Sequence, residues 1–199
     1  MNKHHAKLSS SATLPIPGQS SRNVTLIDPV PAATGHRRMI DHLDIRIDPN
    51  GHWFYHGSLI QRKELVCLFS TALTRDDNGG YWLVTPSEMG QISVEDAPFI
   101  AVEMFCAGRG RGQTISFQTN VEEIVTVDAH HPLYIENNPF SGTLTPYVQL
   151  PRRLSAKLSR SVYYELMELC VQETDSDNDS FGVWSAGVFF RLGSMEDAS

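Results

Sequence analysis

The chain has 199 residues, 41% of them hydrophobic, a formal net charge of −7 and a pI near 5.5. That length fits one domain or two small, closely packed lobes around a real core. The acidic balance argues against non-specific nucleic-acid binding, which needs a basic field, and no run approaches the ~20 apolar residues that span a bilayer.

In chain order, residues 1–40 are rich in Ser, Pro and Gly and show no helical or strand period. They read as a disordered or loosely docked tail without the apolar core of a secretory signal. Within them Val24-Thr25-Leu26-Ile27 is a short apolar piece able to dock on the folded part, and Pro29 and Pro31 end it at once. Ile45-Arg46-Ile47 alternates, Asp48-Pro49-Asn50-Gly51 supplies a turn, and Trp53-Phe54-Tyr55 follows, which predicts a hairpin. Ser58 and Gln61 have capping-box spacing and introduce a helix. Its apolar residues Leu65, Leu68, Phe69 and Ala72 fall at i, i+3, i+4 and i+7.

Asp76-Asp77-Asn78-Gly79-Gly80 ends that unit. Residues 81–85, 91–94, 100–105 and 114–119 then read as a meander of strands. The stretch 137–158 is a long connection with Pro139, Gly142, Pro146 and Pro151 and a strand candidate at 147–150. A second helix over 162–172 buries Val162, Leu166, Leu169 and Cys170. Residues 174–180 read as an acidic loop, and 183–192 as a closing hairpin around Ser185-Ala186-Gly187. The three cysteines Cys67, Cys106 and Cys170 are too scattered for a disulfide framework or a zinc set, and free thiols fit a cytoplasmic protein.

A strand, a turn, a second strand, a helix and a Trp-bearing strand occur in the same order from Ile45 to Val84 and from Val125 to Trp184. A repeat of this kind predicts two packed halves. The expected fold is α+β, with two similar lobes over 41–120 and 121–193. Each is an antiparallel sheet or partial barrel with one helix, and 194–199 form a solvated end.

Several motifs fail on geometry. His52 and His56 flank an extended run, which places them ~13 Å apart, too far to share a metal ion. His130 and His131 are adjacent at a turn and point apart. Asp175-Ser176-Asp177-Asn178-Asp179 starts like a calcium loop, but Ser180 and Ala186 stand where that loop needs Gly and Glu. Gly108-Arg109-Gly110-Arg111-Gly112 precedes a strand pattern, whereas a phosphate loop opens a helix. Trp184-Ser185-Ala186-Gly187 lacks the first Gly of a nucleophile elbow. No catalytic set, cofactor or metal is expected. The acids Glu88, Glu95, Asp96 and Glu103, and the start of the first helix at Arg62, Lys63 and Glu64, are the places where a site is sought.

Longer motifs run the length of the folded region: Gly51-His52-Trp53-Phe54-Tyr55-His56-Gly57, Arg62-Lys63-Glu64-Leu65-Val66, Tyr81-Trp82-Leu83-Val84-Thr85-Pro86 and Val94-Glu95-Asp96-Ala97-Pro98-Phe99. Thr119-Asn120, His131-Pro132-Leu133, Val162-Tyr163-Tyr164-Glu165-Leu166 and Gly182-Val183-Trp184-Ser185-Ala186-Gly187-Val188-Phe189-Phe190 follow. Together they resemble a bacterial family catalogued only as domain of unknown function 1285, over residues 41–193. The resemblance implies two α+β lobes with a likeness to pleckstrin-homology-type barrels and a role in signal transduction. It carries no catalytic residues.

The function expected is a cytoplasmic regulatory or ligand-binding module with a cleft between its lobes lined by Arg62, Trp82, Glu95, Asp96 and Trp184. Its partner is a small molecule, a protein or a peptide. The alternatives are an enzyme using Glu95 or Asp96 with His131, which perturbed pKa values in a shared pocket would favour, and an adaptor working through its N-terminal tail.

Overall fold

The structure, a computed structural model, describes residues 38–138, 141–175 and 178–194. The first sheet contains β1 (Arg38–Ile40), β2 (Ile45–Ile47), β3 (Trp53–Tyr55), β4 (Ser58–Leu59), β5 (Leu73–Arg75), β6 (Tyr81–Val84) and β7 (Glu88–Val94), with helix α1 (Lys63–Ala72) between β4 and β5. The second contains β8 (Phe99–Ala107), β9 (Thr114–Thr119), β10 (Ile124–Thr126), β11 (Leu133–Asn137), β12 (Leu144–Gln149) and β13 (Ser155–Leu158), and helix α2 (Arg160–Glu168) follows it. A third, antiparallel sheet is built from β14 (Val171–Asp175), β15 (Asn178–Ser185) and β16 (Val188–Ser194). Among the described residues the fold is thus mostly sheet, with two α-helices and two main sheet lobes.

Strand order in the first sheet is β4-β3-β2-β7-β6-β5, with β1 also on β7. In the second it is β10-β9-β8-β13-β12-β11. Both sheets are mixed, which corrects the all-antiparallel expectation. β2 runs parallel to β7 and β8 parallel to β13, because each pair is joined by a long crossover rather than a hairpin. The break between sheets falls between Val94 and Phe99, so the strands at 99–119 belong to the second sheet.

The predicted β2–β3 hairpin forms, with Ile45 opposite Tyr55 and Ile47 opposite Trp53. The Asp48 carboxylate accepts the backbone N–H groups of Asn50 and His52, both at 2.9 Å, and Gly51 takes the positive φ of 74° that closes the turn. The capping box does not form. Ser58 is drawn into pairing with Tyr55 across the tight His56-Gly57 turn, and α1 starts after Arg62 without a side-chain cap. α2 is capped by Ser159, whose Oγ accepts the Val162 N–H at 3.3 Å.

Other readings shift with pairing. Arg38–Ile40, read as tail, pairs with Glu88–Gly90 as β1. The 174–180 stretch, read as a loop, belongs mostly to the β14–β15 ladder, although residues 176 and 177 lie outside the described residues. Residues 1–37 and 195–199 also lie outside them. One apolar cluster runs through all three sheets, from Ile47 and Trp53 through Phe99, Phe117 and Leu166 to Val183 and Phe190.

Candidate functional site

α1 carries an apolar stripe that the core does not fully cover. Leu65, Phe69 and Ala72 share a helix face and remain half-buried, and Ser70 is the only fully buried residue of the helix. Opposite them stand Ile40 of β1, Leu43 of the next loop, Ile45 of β2, Leu83 of β6 and Met89 of β7. Between these elements lies an apolar cleft of ≈ 380 Å³, within the usual size of ligand sites. Tyr55 stands on its wall at 52% exposure, and Thr85 and Glu88 supply polar groups.

Backbone geometry keeps the cleft's shape. The Leu43 N–H donates to the Gln91 carbonyl at 2.8 Å, which lays Leu43 across β7. At the crossing point β7 has Gly90, where a Cβ would meet Leu43 Cγ at 2.6 Å. A glycine inside a strand here marks a close approach. Beside the cleft, the Trp53 ring stacks on Phe69 with centroids 6.3 Å apart, and its buried Nε1–H has no hydrogen-bond partner among the described residues. The wall holds no nucleophile paired with a base. Its chemistry is the removal of apolar surface from water.

The five residues expected to line a cleft between lobes occupy different places. Arg62 is exposed at the N-cap of α1. Trp82 donates its indole N–H to Asp76 at 2.7 Å. Glu95 pairs with Arg46 at 2.5 Å, and that guanidinium also lies over the Phe54 ring. Trp184 donates to Glu173 at 2.8 Å under the Arg111 guanidinium, on the edge of a second recess with Cys106, Arg109 and Leu169. Among the described residues no hydrogen bond, ion pair or ring contact joins any two of the five.

Asp96 joins the lobes. It sits between β7 and β8 with its side chain 3% exposed, and it accepts hydrogen bonds from Lys157 at 2.7 Å, Asn138 at 2.7 Å and Tyr147 at 2.9 Å. Lys157 also reaches the Pro49 carbonyl in the β2–β3 turn. Burial, and then the bond to the Asp96 carboxylate, push the Tyr147 phenol far above its ordinary pKa. A carboxylate saturated by an ammonium, an amide and a phenol is a structural joint. His131 is bound instead to Asp128, through Nδ1 at 3.2 Å.

A broader polar recess of ≈ 700 Å³ between the lobes includes Arg75, Asp76, Asp77, His130 and Arg153. Its charges are largely spent on one another and on the chain: Arg153 pairs with Asp77, Asp76 holds Trp82, and Arg75 covers the Tyr81 ring. Among the described residues no group of three or more His, Cys, Asp or Glu side chains is placed to hold a metal ion.

The apolar stripe on α1 was visible in the sequence, but Leu68 departs from it at 63% exposure. Ile40, Leu43, Ile60 and Met89 carried no sequence signal as cleft residues. The interior Gly90 was the one available sign.

Residues 31–97 match the model of the N-terminal domain of DUF1285, a domain of unknown function, and residues 98–192 match that of the DUF1285 C-terminal domain. The boundary between the two models coincides with the break between the sheets. The crystal structure of a DUF1285 family protein from Silicibacter pomeroyi DSS-3 is 37% identical, with a TM-score of 0.76 over 85% of this chain and 90% of that one. Another DUF1285 family protein, from Shewanella baltica OS155, is 25% identical, with a TM-score of 0.49 over 63% of this chain and 91% of that one. No curated protein matches the chain. Two consecutive domain models and a relative aligned over nearly its whole length make this chain a member of the DUF1285 family.

Proposed function

We propose that the chain is a cytoplasmic regulatory module that binds a compact apolar ligand in the cleft between α1 and the first sheet. The observation that carries this reading is the half-buried stripe of Leu65, Phe69 and Ala72 facing Leu43, Leu83 and Met89 across ≈ 380 Å³. Covering those side chains with an apolar group recovers burial energy at about 25 cal/mol per Å². The wall favours an aliphatic chain or a small ring system, with Thr85, Glu88 and Tyr55 available to a polar end. Like a pleckstrin-homology-type module, such a lobe acts by recognition rather than turnover, and signal transduction is the role that fits it. The enzyme reading gains no support from Glu95, Asp96 and His131, since each is bound to a different partner.

The test is a fluorescence titration of the full chain with the neutral apolar probe N-phenyl-1-naphthylamine. Saturable binding at one site is expected, and Ala72→Phe, which fills the cleft from α1, weakens it at least tenfold while leaving the urea midpoint in place. Equal binding by that variant sinks the reading.

A further inference from the structure

We propose that the chain controls this cleft with its own N-terminal segment: Leu26 and Ile27 of Val24-Thr25-Leu26-Ile27 seat in it and compete with the apolar ligand. The inference rests on the cleft being a ligand site. Three observations support the choice of occupant.

The first is connectivity. β1 is the first described strand, and its Ile40 is part of the cleft wall. The chain before Arg38 is therefore attached at the cleft itself. Ten residues, 28–37, separate Ile27 from β1. Extended, they reach roughly 33 Å, several times the width of a cavity of this volume. The second is composition. Among residues 1–37, Val24 to Ile27 is the apolar run unbroken by proline or glycine, and it offers two adjacent branched aliphatic side chains to an aliphatic wall.

The third is charge. Residues 1–27 contain Lys3, Lys7 and Arg22 and no acid. The other 13 of the chain's 16 Lys and Arg, and all 23 Asp and Glu, lie in residues 28–199. A basic tail is thus tied to an acidic body. Near the cleft the body presents Asp41 on the loop that carries Leu43, Glu64 next to Leu65, and Glu88 on the wall, where Arg38 stands 3.9 Å away; Asp44 on the same loop is held by His56 at 2.6 Å. Arg22 lies two residues before Val24, within reach of such a rim. Tethering sets an effective concentration on the order of millimolar, so even a weak four-residue contact competes with a free ligand.

The experiment uses the full chain, wild type and the double variant Leu26→Asp, Ile27→Asp. Two readouts are taken: affinity for N-phenyl-1-naphthylamine, and the methyl NMR signals of Ile40, Ile45, Ile60 and Met89, with Ile115 of the second-sheet core as reference. The expected result is about tenfold tighter probe binding by the variant, with shifts at the cleft methyls and none at Ile115. Equal affinity and unmoved methyls overturn self-docking and leave the cleft intact as a ligand site. Shifted methyls with no probe binding in either form uphold self-docking and overturn the ligand reading. No binding and no shift overturn both.

Discussion

The two main sheets share one strand order. In each, three strands run antiparallel outward from the first strand and three from the last, and first and last lie parallel at the centre. β2 to β7 therefore correspond to β8 to β13, one for one. The helices do not correspond. α1 is inserted between the third and fourth strands of its set, where the second set has only the turn at 127–132, and α2 follows the sixth strand. Their burial differs too. α2 buries Val162 at 1% and Leu166 at 0% exposure, whereas no apolar residue of α1 is fully buried. One scaffold thus yields a filled lobe and a lobe with a cleft, and the position of the helix accompanies the difference. Burial on α2 contributes to stability, and partial exposure on α1 leaves surface for binding.

The largest effect is expected at the joint on which the comparison of lobes depends. Lys157→Met leaves the Asp96 carboxylate buried without its cation, and breaking such a pair costs about 3–5 kcal/mol. Urea denaturation measures it. Adding Asp96→Asn to the same chain should restore much of the loss, because the uncompensated charge disappears. A cost under ~1 kcal/mol for the single change would show that the lobes do not rely on this pair.

Next come the helices themselves. Leu166→Ala in α2 should cost about 2–5 kcal/mol, the range for a leucine removed from a packed core. Leu65→Ala in α1 should cost about 1 kcal/mol or less, because that side chain already borders a cleft. It should also weaken probe binding. Equal costs would erase the distinction between the lobes. Between those two in size, Gly90→Ala forces Leu43 to move and should cost about 1–3 kcal/mol as local overpacking. Probe affinity should change along with stability, since Leu43 is part of the cleft.

Local features of this fold were legible in the sequence, and pairing at a distance was not. The Asp48-Pro49-Asn50-Gly51 turn is written in neighbouring residues, so it could be read. The second helix, expected over 162–172, spans Arg160–Glu168 instead, because Ser159 caps it earlier and the chain has already become β14 at Val171. β1 was missed because Arg38-Met39-Ile40 is too short to declare itself and is extended only through β7. The repeat was seen in the wrong phase. What recurs in the sequence is a turn: Asp48 accepts N–H groups two and four residues on, and Asp128 accepts those of His130 and His131. Those turns lie at non-equivalent points of the two strand sets. Asp96 was singled out as an acid, but its role is set by Lys157, 61 positions away. The stripe on α1 looked like a core face. Whether such a stripe meets side chains or space depends on Leu43 crossing Gly90, which no periodicity encodes.

The smallest expected effect separates the two tryptophans that made the repeat look in phase. Trp82 lies on β6 of the first sheet, and Trp184 on β15 of the third. Trp82 holds the Asp76 carboxylate, and that bond, followed by the Gly80 backbone N–H, keeps the Asp76 carboxyl below its ordinary value of 3.8. A lowered folded pKa means that the contribution is complete above about pH 3.8 and is lost as pH falls through the lower, folded value. The Trp82 indole N–H signal should therefore hold its position down through pH 4 and move only below it. Asp76→Asn should remove that acid transition. Trp184 answers to Glu173 and Arg111, so its signal should be indifferent to the substitution. If both indoles respond to Asp76→Asn, the two tryptophans are coupled across the lobes, and the assignment of each to a separate carboxylate is wrong.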